Sequence, residues 1–294
     1  MTLNSRLYGL RADTAIHAGT GVSDGKVDLP IMREHHSGWP VVFGSAVKGA
    51  LRAAAEASLG KEGEAVQILF GPDTNNAGDH AGALLVADAR LLALPVRSLT
   101  SQYRLVTCPG LVQRLQQDAD RYGVNVGDLA VSVKAGEILV ASAETNSHLF
   151  LEDYAYECKS EAKLDPLIKA MANLADVPES GIREKVAVVS NDDFAHICTG
   201  AIPVQAHIAI DSATKTVTPG ALWYEESLPA DTLLYLGVSS WDSRKAGVEL
   251  SAEECLGKLD ELIAGQRPYL QVGGNETTGM GWCKITRLAG LEVS

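Results

Sequence analysis

The sequence predicts an α+β fold, because a strand, a helix and a second strand follow one another in each half of the 294-residue chain. Two such passages predict helices packed on sheets in the split-βαβ, ferredoxin-like arrangement. A hydrophobic content of 46% with 21% charged residues is typical of a globular protein with a real core. No low-complexity linker separates the halves, so we expect one body rather than separate domains.

The first passage lies in the N-terminal third. Residues 6–16 alternate in apolar character, which predicts a strand that ends in a glycine-rich loop. A helix follows, because Ser45 offers an N-cap, strong helix formers continue the chain, and Gly60 supplies a stop. The apolar run 83–94 predicts a buried strand. A further helix is predicted over residues 109–122, with proline at its start.

The middle of the chain is less regular. Its pattern predicts a helix near residues 164–174 and strands near residues 185–190 and 204–210. The polar sequence IDSATKT separates the last of these strands from the apolar run 222–225, which predicts a long hairpin.

The second strand–helix–strand passage follows this hairpin. Residues 232–240, TLLYLGVSS, predict a strand. Ser251 is a candidate N-cap for a helix that continues to residue 265, and residues 269–274 predict the returning strand.

Charge and cysteine usage exclude several classes of protein. The 25 basic and 37 acidic residues give a net charge of −12, which argues against a free-standing nucleic-acid binder but leaves room for a local basic groove. The five cysteines are scattered without a C-x-x-C pair, which favours reduced thiols over a zinc ribbon or disulfides. No apolar run reaches the length of about 20 residues that a transmembrane helix needs, and no signal peptide is recognisable, so we expect a cytoplasmic protein.

Residues 270–285 form a glycine-rich segment, LQVGGNETTGMGWCKI. The glycines lie between two predicted strands, whereas a dinucleotide fingerprint or a P-loop leads into a helix. Two interpretations stay open. The segment is a hairpin turn with unusual backbone angles, or its missing side chains let a polyanion approach exposed N–H groups.

Three other segments carry candidate chemistry. The first turns of the predicted helix carry Ser45, Lys48 and Arg52, and the two cations are four residues apart on one face. This face either contacts phosphates or is simply a solvated basic surface. Asp28 lies in a glycine-bounded loop, and His17 is a candidate general acid or base, although a lone histidine is more often structural. The sequence LWYEESLP offers aromatic side chains that stack on bases or pack in a core.

Four stretches, taken in order, resemble a known family. They are residues 17–52, LFGP at 69–72, GALWYEESLPADTLLY at 220–235, and LQVGGNETTGMGW at 270–282. Together they resemble the RAMP-superfamily backbone subunit of type III-B CRISPR effectors, the Cmr complex. The middle of the chain contributes little to this resemblance.

The resemblance implies a fold and a set of partners. It implies one RAMP-type body over residues 1–294, with an RRM-related, ferredoxin-like palm mainly from 1–94 and 230–294. Insertions and a thumb hairpin would lie within about residues 95–229. Copies of the subunit would stack as a filament on a CRISPR guide RNA, beside other Cmr subunits, and would cleave complementary target RNA at regular intervals.

The resemblance also implies roles for individual residues. Asp28 matches the catalytic aspartate and would be a weak ligand for a divalent metal, Mg²⁺ or Mn²⁺, with His17 assisting. Guide-RNA phosphates would be held by Ser45, Lys48, Arg52, Gly273, Gly274, Asn275, Thr277, Gly279 and Gly281. Further RNA contacts or supporting roles fall to Arg33, Trp223, Tyr224 and Glu225.

Three alternatives remain open at the level of sequence. One is a non-catalytic RAMP scaffold that binds guide RNA only. Another is a guide-processing endoribonuclease of the same superfamily. The third is a metabolic enzyme that binds a nucleotide at its glycine loop.

Overall fold

The structure, a computed structural model, describes residues 3–23, 25–73, 78–141, 147–160, 162–263 and 268–290. The strands are β1 (Asn4–Ala12), β2 (Val41–Val42), β3 (Leu84–Val86), β4 (Ala89–Ser98), β5 (Gln102–Thr107), β6 (Glu137–Val140), β7 (His148–Leu151), β8 (Tyr154–Ser160), β9 (Val186–Val188), β10 (Val204–Ile210), β11 (Val217–Glu226), β12 (Leu233–Ser240), β13 (Tyr269–Gln271) and β14 (Trp282–Arg287). The helices are α1 (Gly44–Leu59), α2 (Glu64–Phe70), α3 (Pro109–Arg121), α4 (Asp165–Ala175), α5 (Glu179–Lys185), α6 (Asn191–Gly200) and α7 (Ala252–Ile263). Among these described helices, none has the length and apolar character needed to cross a membrane.

An antiparallel sheet joins the two ends of the chain. β1 lies between β12 and β14, and β12 pairs on its other side with β4, so the strand order is β14–β1–β12–β4. β13 extends the β14 edge, while the short strands β2 and β3 pair with β4 and β12. Both predicted strand–helix–strand passages therefore build one sheet, which confirms the predicted mixture of helices and strands.

Helices cover both faces of this sheet. Tyr8 and Leu10 of β1 face a core that also holds buried residues of α1 and α7. Leu7 faces the opposite core, which is built with α4. The approach of α4 is closest at Gly9, where a Cβ atom would clash with the main chain of Leu174. Glycine at this position lets the helix lie directly on the strand.

A second sheet closes on itself through β4. The C-terminal half of β4 pairs with β5, and the ring continues through β9, β6, β8 and β7. β7 returns to β4 at the residue pair Ser98–Leu151. Several of these strands have only three or four residues, too few for a period to be recognised in sequence. This ring is the irregular middle of the chain.

The prediction that Ser45 caps α1 is wrong. The N-cap is Phe43, whose side chain makes no capping hydrogen bond, and the helix begins at Gly44. The Gly44 amide donates instead to Asp88 Oδ1 at 2.7 Å. Asp88 lies in the break between β3 and β4, so the single strand predicted over 83–94 is also interrupted there. A carboxylate from a distant segment has replaced a local cap, which no local motif encodes.

Most other predicted elements are confirmed with shifted ends. α3 and α4 lie within a residue of their predicted bounds, β1 ends earlier, at Ala12, and β13 is shorter than predicted. Ser251 caps α7, because its hydroxyl accepts from the Glu254 amide at 3.3 Å and Glu254 Oε2 accepts from the Ser251 amide at 2.8 Å. The predicted end of this helix at residue 265 lies outside the described residues.

The predicted hairpin is confirmed as a separate two-stranded ribbon of β10 and β11. Ile208 pairs with Leu222 on one face, and His207 pairs with Trp223 on the other. Ile208 and Leu222 are 48% and 54% exposed. The outer half of this hairpin therefore presents apolar side chains that the described chain does not cover.

Candidate functional site

The hairpin base, residues Trp223–Glu226 at the end of β11, is the structural centre of the candidate site. Two consecutive glutamates, Glu225 and Glu226, are 4% and 7% exposed there. Buried carboxylates are costly unless they accept hydrogen bonds or pair with cations. Their partners come from three loops, the His17 loop (residues 13–20), the Asp28 loop (25–32) and the glycine loop (272–281), and from Arg33, which directly follows the Asp28 loop.

The Asp28 loop adds to the hairpin as a short extra strand. The Leu29 amide donates to Tyr224 O at 3.0 Å, and the Glu226 amide donates to Leu29 O at 3.0 Å. Asp28 Oδ2 accepts from the Tyr224 amide at 2.8 Å. Its side chain is nevertheless exposed. The register of β11 therefore fixes the position of a carboxylate that solvent or a ligand can reach.

His17 is held against the same base from the other side. Its Nδ1 lies 2.8 Å from the main-chain oxygen of Glu226. Because a carbonyl oxygen only accepts, Nδ1 carries the proton and Nε2 is the acceptor of the neutral ring. A Cβ atom on Gly19 would lie 2.5 Å from Nε2, so glycine there leaves that nitrogen accessible. Glu225 Oε1 lies 3.7 Å from Nδ1.

The main chain of the glycine loop packs directly against the main chain of the His17 loop. The Gly274 amide donates to His17 O at 2.9 Å, and the Gly281 amide donates to Ala15 O at 2.8 Å. Gly273 has a φ of +88°, and a Cβ atom there would clash with His17 O. Asn275 donates from its side-chain amide to Glu225 Oε1. The glycines thus have a structural role in holding the His17 loop, whatever else they bind.

These loops and α1 enclose a groove of about 550 Å³. Small residues of α1 form one wall of the groove, and His17 lies in another. Residues lining the groove include His17, Gly19, Ser45, Gly49, Gly273 and Gly274. The groove therefore gives access to His17.

A family model described as the RAMP superfamily matches residues 10–284 of the chain. The chain belongs to the RAMP superfamily. A relative from Pyrococcus furiosus, named CRISPR system Cmr endoribonuclease Cmr4, is 33% identical over 289 residues, which are 97% of this chain and 96% of that protein. The resemblance to this superfamily inferred from sequence is confirmed.

Solved structures of RAMP proteins share the fold. The crystal structure of oligomeric Cmr4 from Pyrococcus furiosus is 25% identical, with a TM-score of 0.74 over 99% of this chain and 100% of that chain. A cryo-EM structure of the type III-B Cmr-beta complex bound to cognate target RNA contains a chain that is 21% identical, with a TM-score of 0.75 and 97% coverage of both chains. At this identity the second comparison shows the fold alone.

The three α1 residues predicted to hold RNA do not act as one group within this RAMP fold. Ser45 lines the groove, whereas Arg52 lines a separate cavity of about 540 Å³. Arg52 donates to the carbonyls of Gly71 and Pro72, each at 3.2 Å, beyond the end of α2. Lys48 is half-buried, and burial, followed by the charges of Arg52 and a further arginine, lowers its pKa. Ser45 and Lys48 remain candidate phosphate ligands, while Arg52 has a structural role that the sequence did not indicate.

The residues predicted to contact RNA or to support the site fall into two groups, exposed side chains and buried ones. Trp223 stacks on His207 with ring centroids 5.5 Å apart, and Tyr224 is 45% exposed on the opposite face. Arg33 points inward and pairs with Glu226, and Glu225 is buried between Asn275 and His17. Arg33 and Glu225 are therefore supports. Thr277 lies in a short exposed 3₁₀ turn, and Gly279, with a φ of +83°, has open space around it.

The donor set for a metal is sparse. Among the residues that the structure describes, no group of three or more histidine, cysteine or acidic side chains is placed to hold an ion. Asp28 is a single carboxylate whose Oδ2 already accepts a hydrogen bond. Mg²⁺ and Mn²⁺ prefer several oxygen ligands. These residues do not form a metal cage of their own, so the divalent metal stays a prediction.

Sequence reasoning missed Glu226, whose carboxylate and main chain contact two of the three loops. The signal was weak, because a second glutamate beside Glu225 in a strand predicts a solvated face. Only the tertiary structure shows that both side chains are buried.

Proposed function

We propose that this chain is the backbone subunit of a type III-B CRISPR ribonucleoprotein. It binds guide RNA in a filament of its own copies, beside other Cmr subunits in the cytoplasm, and cleaves complementary single-stranded target RNA at regular intervals. Superfamily membership and the 33% identity to a Cmr endoribonuclease support this assignment. The observation that carries it is the attachment of both His17 and Asp28 to the hairpin base, where His17 lines the groove and Asp28 directly precedes Leu29, which also lines it.

The proposed architecture is a palm with a thumb. The order β14–β1–β12–β4, with α1 after β1 and α7 after β12, has the connectivity of a ferredoxin-like sheet and supports a palm from residues 1–94 and 230–294. The β10–β11 hairpin is the thumb, and the five strands that close a ring with β4 are an insertion. The exposed apolar face of the hairpin supports a role in contacting RNA or a neighbouring copy.

Guide RNA lies in the groove in this proposal. Ser45, Lys48 and the glycine loop contact its phosphates, and such contacts carry no sequence information. The subunit can then accept any guide, while base pairing selects the target. Since the whole chain has a charge of −12, binding depends on local cations and on many copies acting together.

Cleavage proceeds by attack of a 2′-hydroxyl on the adjacent phosphorus. The new bond is O2′–P, the broken bond is P–O5′, and the products are a 2′,3′-cyclic phosphate and a 5′-hydroxyl. His17 Nε2, which is free to accept, takes the proton of the attacking hydroxyl, and Asp28 orients that hydroxyl from the opposite loop. Water supplies the proton for the leaving oxygen. A divalent metal, if held by Asp28 together with RNA oxygens, would stabilise the phosphate charge.

Asp28 is tested in the complex reconstituted with guide RNA, using labelled complementary RNA. The Asp28→Ala variant should lose cleavage by on the order of 10³-fold with target binding unchanged, because it removes a group at the reacting atoms. Asp153→Ala is the matched control, since it removes an exposed aspartate on the distant β7–β8 turn. Loss of binding together with cleavage would make Asp28 structural instead.

A guide-binding scaffold is the second candidate function. The observation that favours it is the single carboxylate at the site, already bonded to the Tyr224 amide. Wild-type complex that binds target without producing spaced fragments would establish the scaffold and remove the enzyme assignment.

A further inference from the structure

We propose that Glu226 and Arg33 are positioning residues for the cleavage reaction, because their buried ion pair fixes His17 and Asp28 relative to each other. This inference rests on the proposed function. Neither residue lines the groove, and both act in this proposal through the loops that carry His17 and Asp28.

Glu226 contacts both candidate catalytic loops at once. Its Oε2 accepts from the Ile31 amide at 3.0 Å, and its own amide donates to Leu29 O at 3.0 Å. These two bonds hold the segment that directly follows Asp28. Its main-chain oxygen accepts from His17 Nδ1 at 2.8 Å, which fixes the tautomer that leaves Nε2 as an acceptor. One residue therefore sets the spacing between the carboxylate and the imidazole.

Arg33 fixes the orientation of the Glu226 carboxylate. It donates to Glu226 Oε1 and, through its other terminal nitrogen, to Gly38 O at 3.1 Å and Cys198 O at 3.0 Å. With Oε1 occupied in this way, Oε2 is directed to the Ile31 amide. The guanidinium also compensates a carboxylate that is 7% exposed. The pair anchors the Asp28 loop to α6, which carries Cys198 and is a fixed part of the core.

Disturbing this ion pair should lower the rate of the chemical step and leave the affinity for RNA unchanged. A displacement of about 1 Å in a reacting group lowers a rate by up to roughly 10²-fold, whereas RNA affinity is spread over many contacts. Glu226→Gln preserves size but offers one oxygen where Arg33 and the Ile31 amide need two. One of these two donors then loses its acceptor.

The test uses the guide-loaded complex under single-turnover conditions. Glu226→Gln should cleave target RNA on the order of 10- to 100-fold more slowly with unchanged target affinity. Arg33→Lys, which keeps the charge, should retain more of the rate than Arg33→Met. Hydrogen exchange supplies a readout that does not depend on activity, since the Ile31 amide should exchange faster in Glu226→Gln.

Glu34→Gln is the matched control. Glu34 is also largely buried in an ion pair, accepting from Arg114 at 2.7 Å, but it contacts neither the His17 loop nor the Asp28 loop. A wild-type rate in Glu226→Gln, or an equal loss of rate in Glu34→Gln, would overturn the inference. A fall of affinity in step with rate would do the same. Wild-type complex that binds but does not cut would overturn the proposed function, and this inference with it, whereas the first three results leave that function intact.

Discussion

The two halves of the β10–β11 hairpin are built in opposite ways. At the base, Glu225 and Glu226 are buried, and their carboxylates accept hydrogen bonds from two separate segments of the chain, residues 31–33 and Asn275. In the outer half, Ile208 and Leu222 are about half exposed. The outer half therefore gains little stability from burial within the described chain.

The difference shows a division of labour within one element. The base stabilises the geometry of the site and makes its contacts inside the subunit. The outer half leaves its apolar area for the assembled complex. Substitutions in the base should therefore change chemistry or folding, and substitutions in the outer half should change assembly.

After Asp28→Ala, the largest effect is expected for His17 at the base. His17→Gln keeps a donor for Glu226 O but removes the proton acceptor at the groove, so the single-turnover cleavage rate should fall roughly 10²-fold. His148→Gln, on the exposed start of β7, is the control and should cleave normally. An unchanged rate in His17→Gln would show that the histidine only supports the loop.

The glycine loop tests the packing of the base. Gly273→Ala and Gly279→Ala both place a side chain at positive φ, which costs about 1 kcal/mol or more. Only Gly273 has a main-chain oxygen, that of His17, in the way of the new methyl group. Gly273→Ala should therefore lower the free energy of unfolding by a further 1–3 kcal/mol or so, measured by urea denaturation. Equal losses in the two variants would mean that the loop can shift away from His17.

The outer half is tested by making its paired apolar residues polar. Ile208→Thr with Leu222→Thr should change the unfolding free energy of the isolated subunit by less than about 0.5 kcal/mol, because both side chains are half exposed already. Assembly on guide RNA, measured by sedimentation, should weaken. Phe150→Thr, an exposed apolar residue on β7, should leave assembly unchanged. Normal assembly of the double variant would remove the docking role.

The smallest effect is expected for Lys48 on α1, which forms no salt bridge with an acidic side chain in the part of the chain that the structure describes. Burial and neighbouring arginines lower the pKa of Lys48, so Lys48→Met should slightly stabilise the isolated subunit at neutral pH. That advantage should shrink as pH rises, since the folded state of the wild type loses this proton before the unfolded state does. Guide binding should show a salt slope smaller by about 0.7, the value for one phosphate contact on a single strand.

The exposed Lys134→Met is the control for this variant and should show neither change. A salt slope that Lys48→Met leaves unaltered would place Lys48 outside the RNA path.

Local pattern was sufficient where a segment carries its own signal. α3, α4 and β10 were predictable because their periodicity and length express an amphipathic helix or a strand. The Ser251–Glu254 cap of α7 was predictable in part, since Ser251 stands directly before strong helix formers. Asp28, His17 and the glycine loop were singled out by residue type and local pattern, and the resemblance to the RAMP superfamily assigned their roles. The structure brings all three to one base.

By itself, the sequence determined the mixed architecture, the family and the segments that form the site. Tertiary structure alone decided which groups meet. Asp88 caps α1 across a distance in sequence of 44 residues, Arg52 serves α2 rather than the groove, and Glu226 is buried against Arg33. The physical reason is that a charged side chain takes whichever partner the packed chain brings to it, and burial makes that partner obligatory.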